Sequence, residues 1–299
     1  MNTQYFRSIK LDGIDIFYRE AGNPEKPVIL LLHGFPSSSH MFRNLINDLS
    51  DEFRLIAPDY PGFGQSSSPS FSDYVYSFDN LAVTINNFID ALGLRKIILY
   101  LHDYGGPIGF RIATERPEMI QALIIQNANA YSDGFGDALG PLVAYIQDQN
   151  PETEKGARTY LSPGAVKWLY TEGAEDLSRF SPDGYTIDLY YLGRHGNDEI
   201  QLALFRDYGT NLPLYETWQT YFRNYQPPTL NISGKNDKLF LAAGAEAFKK
   251  DLKDAQINLL NGSHFVLEEK HAEAASIIRS FLSRKGIVLT DDMIIHESM

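Results

Sequence analysis

The 299-residue sequence contains no cysteine. That absence excludes disulfide scaffolds, thiolate zinc sites, iron–sulfur clusters and cysteine nucleophiles, and it leaves the redox compartment open. Basic residues are scarce beside acidic ones: 26 Lys and Arg face 38 Asp and Glu, a formal charge of −12. A chain so charged repels phosphate backbones, so nucleic acid is not an expected partner. Long apolar runs are missing too. The longest, such as Val28 to Leu32, fall far short of a bilayer span, and Met1 to Asp12 has no basic stretch followed by an apolar one. The reading is of a soluble, unprocessed, cytoplasmic protein without a membrane partner, working as a monomer or homodimer. Two Asn-x-Ser sequons, at Asn231 and Asn261, are chance matches in a chain without an export signal.

What is present is a globular composition, 43% hydrophobic and 21% charged, with a texture that changes near Ala128 and again near Pro227 and Pro228. Before the first change, short apolar runs at Ile16–Tyr18, Val28–Leu32, Leu55–Pro58, Ile97–Leu101 and Leu123–Gln126 alternate with stretches of helical period, such as Phe78–Leu92. After the second change the alternation resumes. It predicts strands at Thr229–Ser233 and Ile257–Leu260, with helices over Ala242–Leu252 and about Ala272–Leu282. The pattern argues a mostly parallel sheet covered by helices on both faces. Residues 128–226 lack buried-strand runs yet hold 11 of the 18 Tyr and both Trp, Trp168 and Trp218, which reads as an inserted helical cap. Residues 1–127 and 227–299 then form the core domain. The tail from Ile287 to Met299 has no functional reading.

Chemistry-bearing residues cluster after the predicted strands. His102-Asp103-Tyr104-Gly105-Gly106-Pro107 follows Lys96–Leu101 and leads into a helical pattern, so Asp103 stands at a strand-to-helix turn. In open α/β sheets that edge binds ligands, and the helix N-terminus favours an ionised carboxylate there. Asp103 is therefore either a nucleophile or simply a helix cap. Three further segments bear on the choice. His33-Gly34-Phe35-Pro36 follows Val28–Leu32, where a loop can offer a backbone N–H to the same site. Gly234-Lys235-Asn236-Asp237 follows Thr229–Ser233 with an acid, and Gly262-Ser263-His264-Phe265 follows Ile257–Leu260 with an imidazole. The order is oxyanion loop, nucleophile, acid, base, each directly after a strand, and that joint placement favours a catalytic site.

These motifs, with Asp59-Tyr60-Pro61-Gly62-Phe63-Gly64-Gln65-Ser66, resemble the α/β-hydrolase fold, in the branch of epoxide hydrolases, haloalkane dehalogenases and fluoroacetate dehalogenases. The resemblance covers nearly the whole chain. It implies an eight-stranded core with a helical cap inserted after the sixth strand, and no cofactor and no metal. It also implies Asp103 as nucleophile, His264 as general base and Asp237 as the acid orienting it. Some relatives carry the acid after the sixth strand, but here Gln126-Asn127-Ala128-Asn129-Ala130 offers no carboxylate before Asp133. The backbone N–H groups of Phe35 and Tyr104 would hold the oxyanion.

A carboxylate nucleophile suits attack on saturated carbon, giving an alkyl-enzyme ester that water then cleaves. The expected substrate is a small apolar electrophile, an epoxide first and an alkyl halide or haloacid second; a non-catalytic ligand receptor on the same fold is the third reading. An epoxide oxygen needs a proton donor, and by resemblance Tyr208, in Phe205-Arg206-Asp207-Tyr208, supplies it, with Tyr145 as the second phenol. A naive count of the early cap puts Leu142 nearer the second position. Tyr104 stands where haloalkane dehalogenases commonly place Trp and fluoroacetate dehalogenases Arg, Phe35 where many dehalogenases place Asn, and Leu101 where epoxide hydrolases commonly place Gly.

Overall fold

The computed structural model describes residues 3–287, so residues 288–299 of the tail lie outside the described residues. Eight strands form one sheet: β1 Gln4–Leu11, β2 Ile14–Ala21, β3 Val28–Leu32, β4 Arg54–Pro58, β5 Ile97–His102, β6 Ile120–Gln126, β7 Thr229–Gly234 and β8 Gln256–Leu260. Their spatial order is β1-β2-β4-β3-β5-β6-β7-β8. β2 pairs antiparallel with β1 and β4, and every other pairing is parallel. The inner strands β3, β5 and β7 are buried at every residue; in β3 and β5 that gives nearly unbroken apolar runs, whereas β7, TLNISG, buries polar side chains among its apolar ones.

β1 had no counterpart among the expected strands. It lies at the sheet edge, most of its residues are exposed, and so its sequence QYFRSIKL carries no buried run. Two helix expectations also shift. Ala242–Leu252 resolves into α10, Ala242–Ala247, and a 3-10 turn at Phe248–Lys250. The last helix, α11, starts at Leu267 and runs to Arg284, with non-helical backbone at Lys270. Its first turn hides buried carboxylates that bind specific partners: Glu268 pairs with Arg43 at 2.7 Å, and Glu269 accepts the Glu175 and Asp176 backbone N–H groups. Polar residues spent this way look like loop in a hydrophobicity pattern.

Helices α1 (Arg43–Leu49), α2 (Phe78–Ala91) and α3 (Gly105–Glu115) flank the sheet with α10 and α11. α2 shows why such segments fold: Ser77 caps it by accepting the Asn80 N–H, and Phe78, Leu81, Ile85, Phe88 and Ile89 form one buried stripe. Between β6 and β7 the chain makes six α-helices: α4 Gly140–Gln147, α5 Pro151–Arg158, α6 Pro163–Thr171, α7 Pro182–Leu192, α8 Asn197–Asp207 and α9 Tyr215–Tyr225. The insertion is fastened to the core by aromatic packing, with the Phe110 ring of α3 5.3 Å from Trp218 and 5.5 Å from Phe222. Among the described residues, no helix is long and apolar enough to cross a membrane.

The connectivity creates the site. From β3 the chain moves to β4 on one side, then crosses to β5 on the other, so the carboxyl ends of β3 and β5 diverge at a topological switch point. Register then aligns the strand ends with one another: Leu32 is opposite Leu101, His102 opposite Gln126, Ile125 opposite Asn231, and Gly234 opposite Leu260. The loops at Gly34, Asp103, Asn127, Asp237 and His264 therefore leave the sheet along one edge.

Candidate active site

Asp103 occupies the turn between β5 and α3 with a left-handed backbone, φ 49°, a conformation that costs energy for a side chain with a Cβ. Glycines make the turn fit. A Cβ on Gly105 would lie 2.2 Å from the Leu32 carbonyl oxygen, and one on Gly34 would lie 2.2 Å from Asp103 Oδ1. Backbone and carboxylate can approach this closely only because both positions are bare. The Phe35 N–H accordingly donates to Asp103 Oδ1 at 2.6 Å. Burial pushes the Asp103 carboxyl up to about 6, against the opposing pull of His264 and of the Phe35 and Tyr104 backbone N–H groups. At neutral pH it is ionised, but in a setting that solvates it poorly.

His264 is buried, and its Nδ1 donates to Asp237 Oδ2 at 2.7 Å, the tautomer that keeps the Nε2 lone pair for proton uptake. Burial lowers the imidazole pKa, yet Asp237 and then Asp103 outweigh it, and the group ends above its ordinary value. Asp237 is itself held. Its Oδ1 accepts the Leu239 N–H at 2.7 Å, and its Oδ2 also accepts Asn127 Nδ2 at 2.7 Å. Sequence reasoning gave Asn127 no role beyond the absence of a carboxylate, and so missed its part. It stands at the end of β6 with φ 44°, its Oδ1 accepts the Gly234 N–H, and its carbonyl accepts the Asp103 N–H at 3.2 Å. One side chain and its backbone thus link the acid loop to the nucleophile turn. The available signal was three polar residues, Gln126, Asn127 and Asn129, at and just past the end of an apolar strand.

Asp103 opens into a small cavity of about 30 Å³, room for a ligand of a few heavy atoms. Core residues Phe35, Tyr104, Leu239 and Phe240 line it from below, and Leu139, Leu142, Tyr160, Leu169, Phe205 and Tyr208 from the insertion close it. The polar side chains in this lining are one carboxylate and three phenols; no Trp, Asn, Arg or Lys takes part. Tyr208 is positioned by its neighbour: Asp207 Oδ2 accepts the Phe78 N–H at 2.6 Å, pinning the end of α8 to the start of α2, and the Tyr208 ring packs edge-on to Phe78. Burial raises its hydroxyl well above the ordinary tyrosine value, aided by Tyr215 and Asp103, so it stays protonated.

Tyr145 is not among the residues that line the cavity. It is buried in α4, but Leu142, one turn earlier, faces the cavity in its stead. Three residues along a helix amount to roughly 4.5 Å of rise. Tyr145 lies near the charges of Arg206, Glu154 and Arg158. The second phenol the insertion brings to the cavity is Tyr160, which no periodicity marked, and its hydroxyl donates to the Ala138 carbonyl. His33 and His102, the other histidines of the motifs, are buried and held neutral: burial pushes His33 down to about 3 and His102 well below its usual value. Among the described residues, no three His, Asp or Glu side chains are grouped to hold a metal ion.

A family profile described as the alpha/beta hydrolase fold matches residues 27–160. An uncharacterized hydrolase of Saccharomyces cerevisiae is 42% identical over 261 residues, 86% of this chain and 89% of that protein. Epoxide hydrolase 4 of Mus musculus is 28% identical over 297 residues, 95% of this chain and 81% of that protein. The crystal structure of a haloalkane dehalogenase from Bradyrhizobium elkani shares the fold, with a TM-score of 0.77 at 22% identity over 95% of this chain and all of that one.

Proposed function

Because this chain belongs to the alpha/beta hydrolase fold family and is a hydrolase, we propose that it opens small apolar epoxides to diols through a covalent alkyl-enzyme ester on Asp103, without a cofactor. The observation that carries this reading is the Asp103 carboxylate itself. It sits in an apolar cavity with Oδ1 bound to the Phe35 N–H and an imidazole–carboxylate pair at the same sheet edge. A carboxylate attacking an acyl group gives only a reactive anhydride, whereas attack on saturated carbon gives a stable ester.

In the first step Oδ2 attacks an epoxide carbon in line, and the C–O bond breaks toward oxygen. Tyr208 gives that oxygen its proton. In the second step His264 takes a proton from water as the water attacks the ester carbon, with Asp237 stabilising the imidazolium. Oδ1, now the ester carbonyl oxygen, becomes the oxyanion. The Phe35 N–H, which holds it in the resting carboxylate, also holds it here together with the Tyr104 backbone N–H, at about 3 kcal/mol per donor. The imidazolium gives its proton to Oδ2 as the diol leaves, and the water oxygen replaces Oδ2 in Asp103. The remaining water proton returns to the Tyr208 phenolate.

The cavity lining favours an epoxide over a halide. A departing halide is best met by N–H donors, and the lining side chains offer only O–H groups to a leaving oxygen. The small volume favours small substrates, and the 28% identity to a protein named epoxide hydrolase 4 points the same way. The test is to incubate His264→Gln protein with propylene oxide, styrene oxide and bromobutane and to weigh the intact chain. An epoxide adduct on the Asp103 peptide, with diol formation by the parent enzyme, supports the reading. Bromide release without diol formation assigns the site to dehalogenation. Turnover by the parent with no adduct on the variant rejects the covalent route.

A further inference from the structure

Tyr170, near the end of α6, joins the helical insertion to the loop that carries the imidazole. It is buried, and its ring lies flat on that of Phe265, with centroids 3.9 Å and planes 4° apart. Phe265 directly follows His264, and its ring stands edge-on to the imidazole at 5.2 Å. Aromatic pairs left to themselves prefer offset or edge-on contacts with centroids about 4.5 to 7 Å apart, so a stack this close and flat is held by something else. The holder is Asp188 of α7, fully buried, whose Oδ2 accepts the Tyr170 hydroxyl at 2.5 Å. Gly184, one turn earlier in α7, lets the two helices close on the ring: a Cβ there would lie 3.0 Å from Tyr170 Cε1. This acid is costly to keep. Its Oδ1 has no hydrogen-bond partner, and Arg43, the cation beside it, is spent on Glu268 at 2.7 Å. Burial pushes the Asp188 carboxyl up to about 7, and Glu268 adds to the rise against the opposing pull of Tyr170, Ser37 and Arg43. An apolar side chain of the same size would pack there without that cost. What the acid supplies is a fixed acceptor for one hydroxyl. Ser37, two residues past Phe35, lies beside both groups, and Leu169, next to Tyr170, lines the cavity.

We propose that Tyr170, held by Asp188, is a positioning residue for the general base: through the Phe265 ring it fixes the His264 loop so that the imidazole keeps its bond to Asp237 and presents Nε2 to water. The inference rests on the covalent reading above and concerns its second step alone. Asp237 holds the imidazole at Nδ1, and a single hydrogen bond leaves a ring free to swing about it. The stack on Tyr170 takes that freedom from the loop. Proton uptake requires heavy atoms to approach within about 2.6 to 3.2 Å, so a displaced loop loses rate long before the fold loses stability. Attack by Asp103 Oδ2 uses no base, so the first step does not depend on this support. The Tyr170–Asp188 bond also survives protonation of the acid, because the proton goes to the unpartnered Oδ1 and Oδ2 still accepts. Neither residue lines the cavity, and both act through the loop they hold.

The test uses three variants: Asp188→Leu, which removes the acceptor, Asp188→Asn, which keeps an acceptor without the charge, and Tyr170→Phe, which keeps the ring without the hydroxyl. Growth and loss of the Asp103 adduct are followed in single turnovers of propylene oxide across pH by rapid quench and intact-mass spectrometry, with His264→Gln protein as the trapped control. For Asp188→Leu and Tyr170→Phe the expected result is adduct growth within about twofold of the parent and adduct loss slowed about 10- to 100-fold. The acid limb of adduct loss should also move to lower pH, because a loosened Asp237 bond raises the imidazole less while burial still lowers it. Asp188→Asn should restore adduct loss to within about threefold of the parent, since its side-chain oxygen still accepts the hydroxyl. Should Asp188→Leu fail to fold, Tyr170→Phe carries the same expectation. Adduct loss at the parental rate in the folded variants would overturn the proposal and leave the covalent reading intact. Parallel slowing of both steps with an unmoved acid limb, or no rescue by Asp188→Asn, would also overturn it. No adduct on the His264→Gln control would remove the covalent reading and this inference together.

Discussion

Asp103, Asp237 and His264 follow strands whose pairing register sets where each loop begins, whereas Tyr208, Tyr160 and Leu142 hang from short helices set only by their packing on one another and on the core. The two regions face each other across the same small cavity. On the sheet side a residue's place in the order of strands is nearly enough to determine its chemical neighbours, because adjacent strands lie about 4.8 Å apart and side-chain direction alternates strictly. On the helical side neither order nor periodicity is enough: Leu139, just before α4, and Leu142, within it, reach the cavity, and Tyr145 of the same helix does not line it. On the proposed reading, the reacting groups follow from the topology, and the choice of leaving group from how the insertion packs.

This division of labour is most exposed to removal of the nucleophile. Asp103→Ala should lower kcat by at least ~10⁴-fold and abolish adduct formation, with the far-ultraviolet circular dichroism unchanged. Retained turnover would move the chemistry off the sheet edge. Tyr208→Phe comes next. Losing a general acid costs about 10²-fold or more, all in ester formation, so single-turnover ester hydrolysis should keep its rate. Equal slowing of both steps would make Tyr208 a packing residue and leave the helical side without a donor.

The pH dependence separates the two sheet-edge groups. The Asp103 carboxyl lies at about 6, so acidification through that pH removes the nucleophile and slows ester formation about tenfold per unit. The His264 pKa is raised above its ordinary 6.5, so on acidification the base is protonated first. Ester hydrolysis therefore fails before ester formation, and the Asp103 adduct should accumulate in the parent enzyme just above pH 6, as rapid quench and mass spectrometry would show. Adduct that peaks on the alkaline side would reverse the assignment.

How much of the molecule was legible in the sequence depends on the same divide. Strands such as Val28–Leu32 could be read because a strand buried on both faces must be apolar throughout, and the candidate site residues because each lies within a few residues of a predicted strand's end. β1 could not be read because an edge strand has no buried run to show. Asn127 escapes notice because its work is done by a side-chain amide and a left-handed backbone, which leave no periodic trace. Tyr145 attracts attention, and Tyr160 does not, because in a segment holding 11 tyrosines only the tertiary packing distinguishes the few that meet the cavity. Two smaller effects probe both sides of the cavity. Asn127→Ala, which strips a charged hydrogen bond from Asp237, should slow ester hydrolysis about tenfold and leave ester formation alone, as stopped-flow single turnovers would report. Tyr145→Phe should change kcat/KM less than about twofold, since its hydroxyl lies outside the cavity; a larger loss would return it to the site.

The decisive experiment is a single turnover in water labelled with heavy oxygen, enzyme in excess over propylene oxide, with product and tryptic peptides both weighed. Passage through an Asp103 ester predicts an unlabelled diol and one heavy oxygen in the peptide that contains Asp103. A labelled diol and an unlabelled protein would mean that water attacks the substrate directly, and would contradict the covalent route.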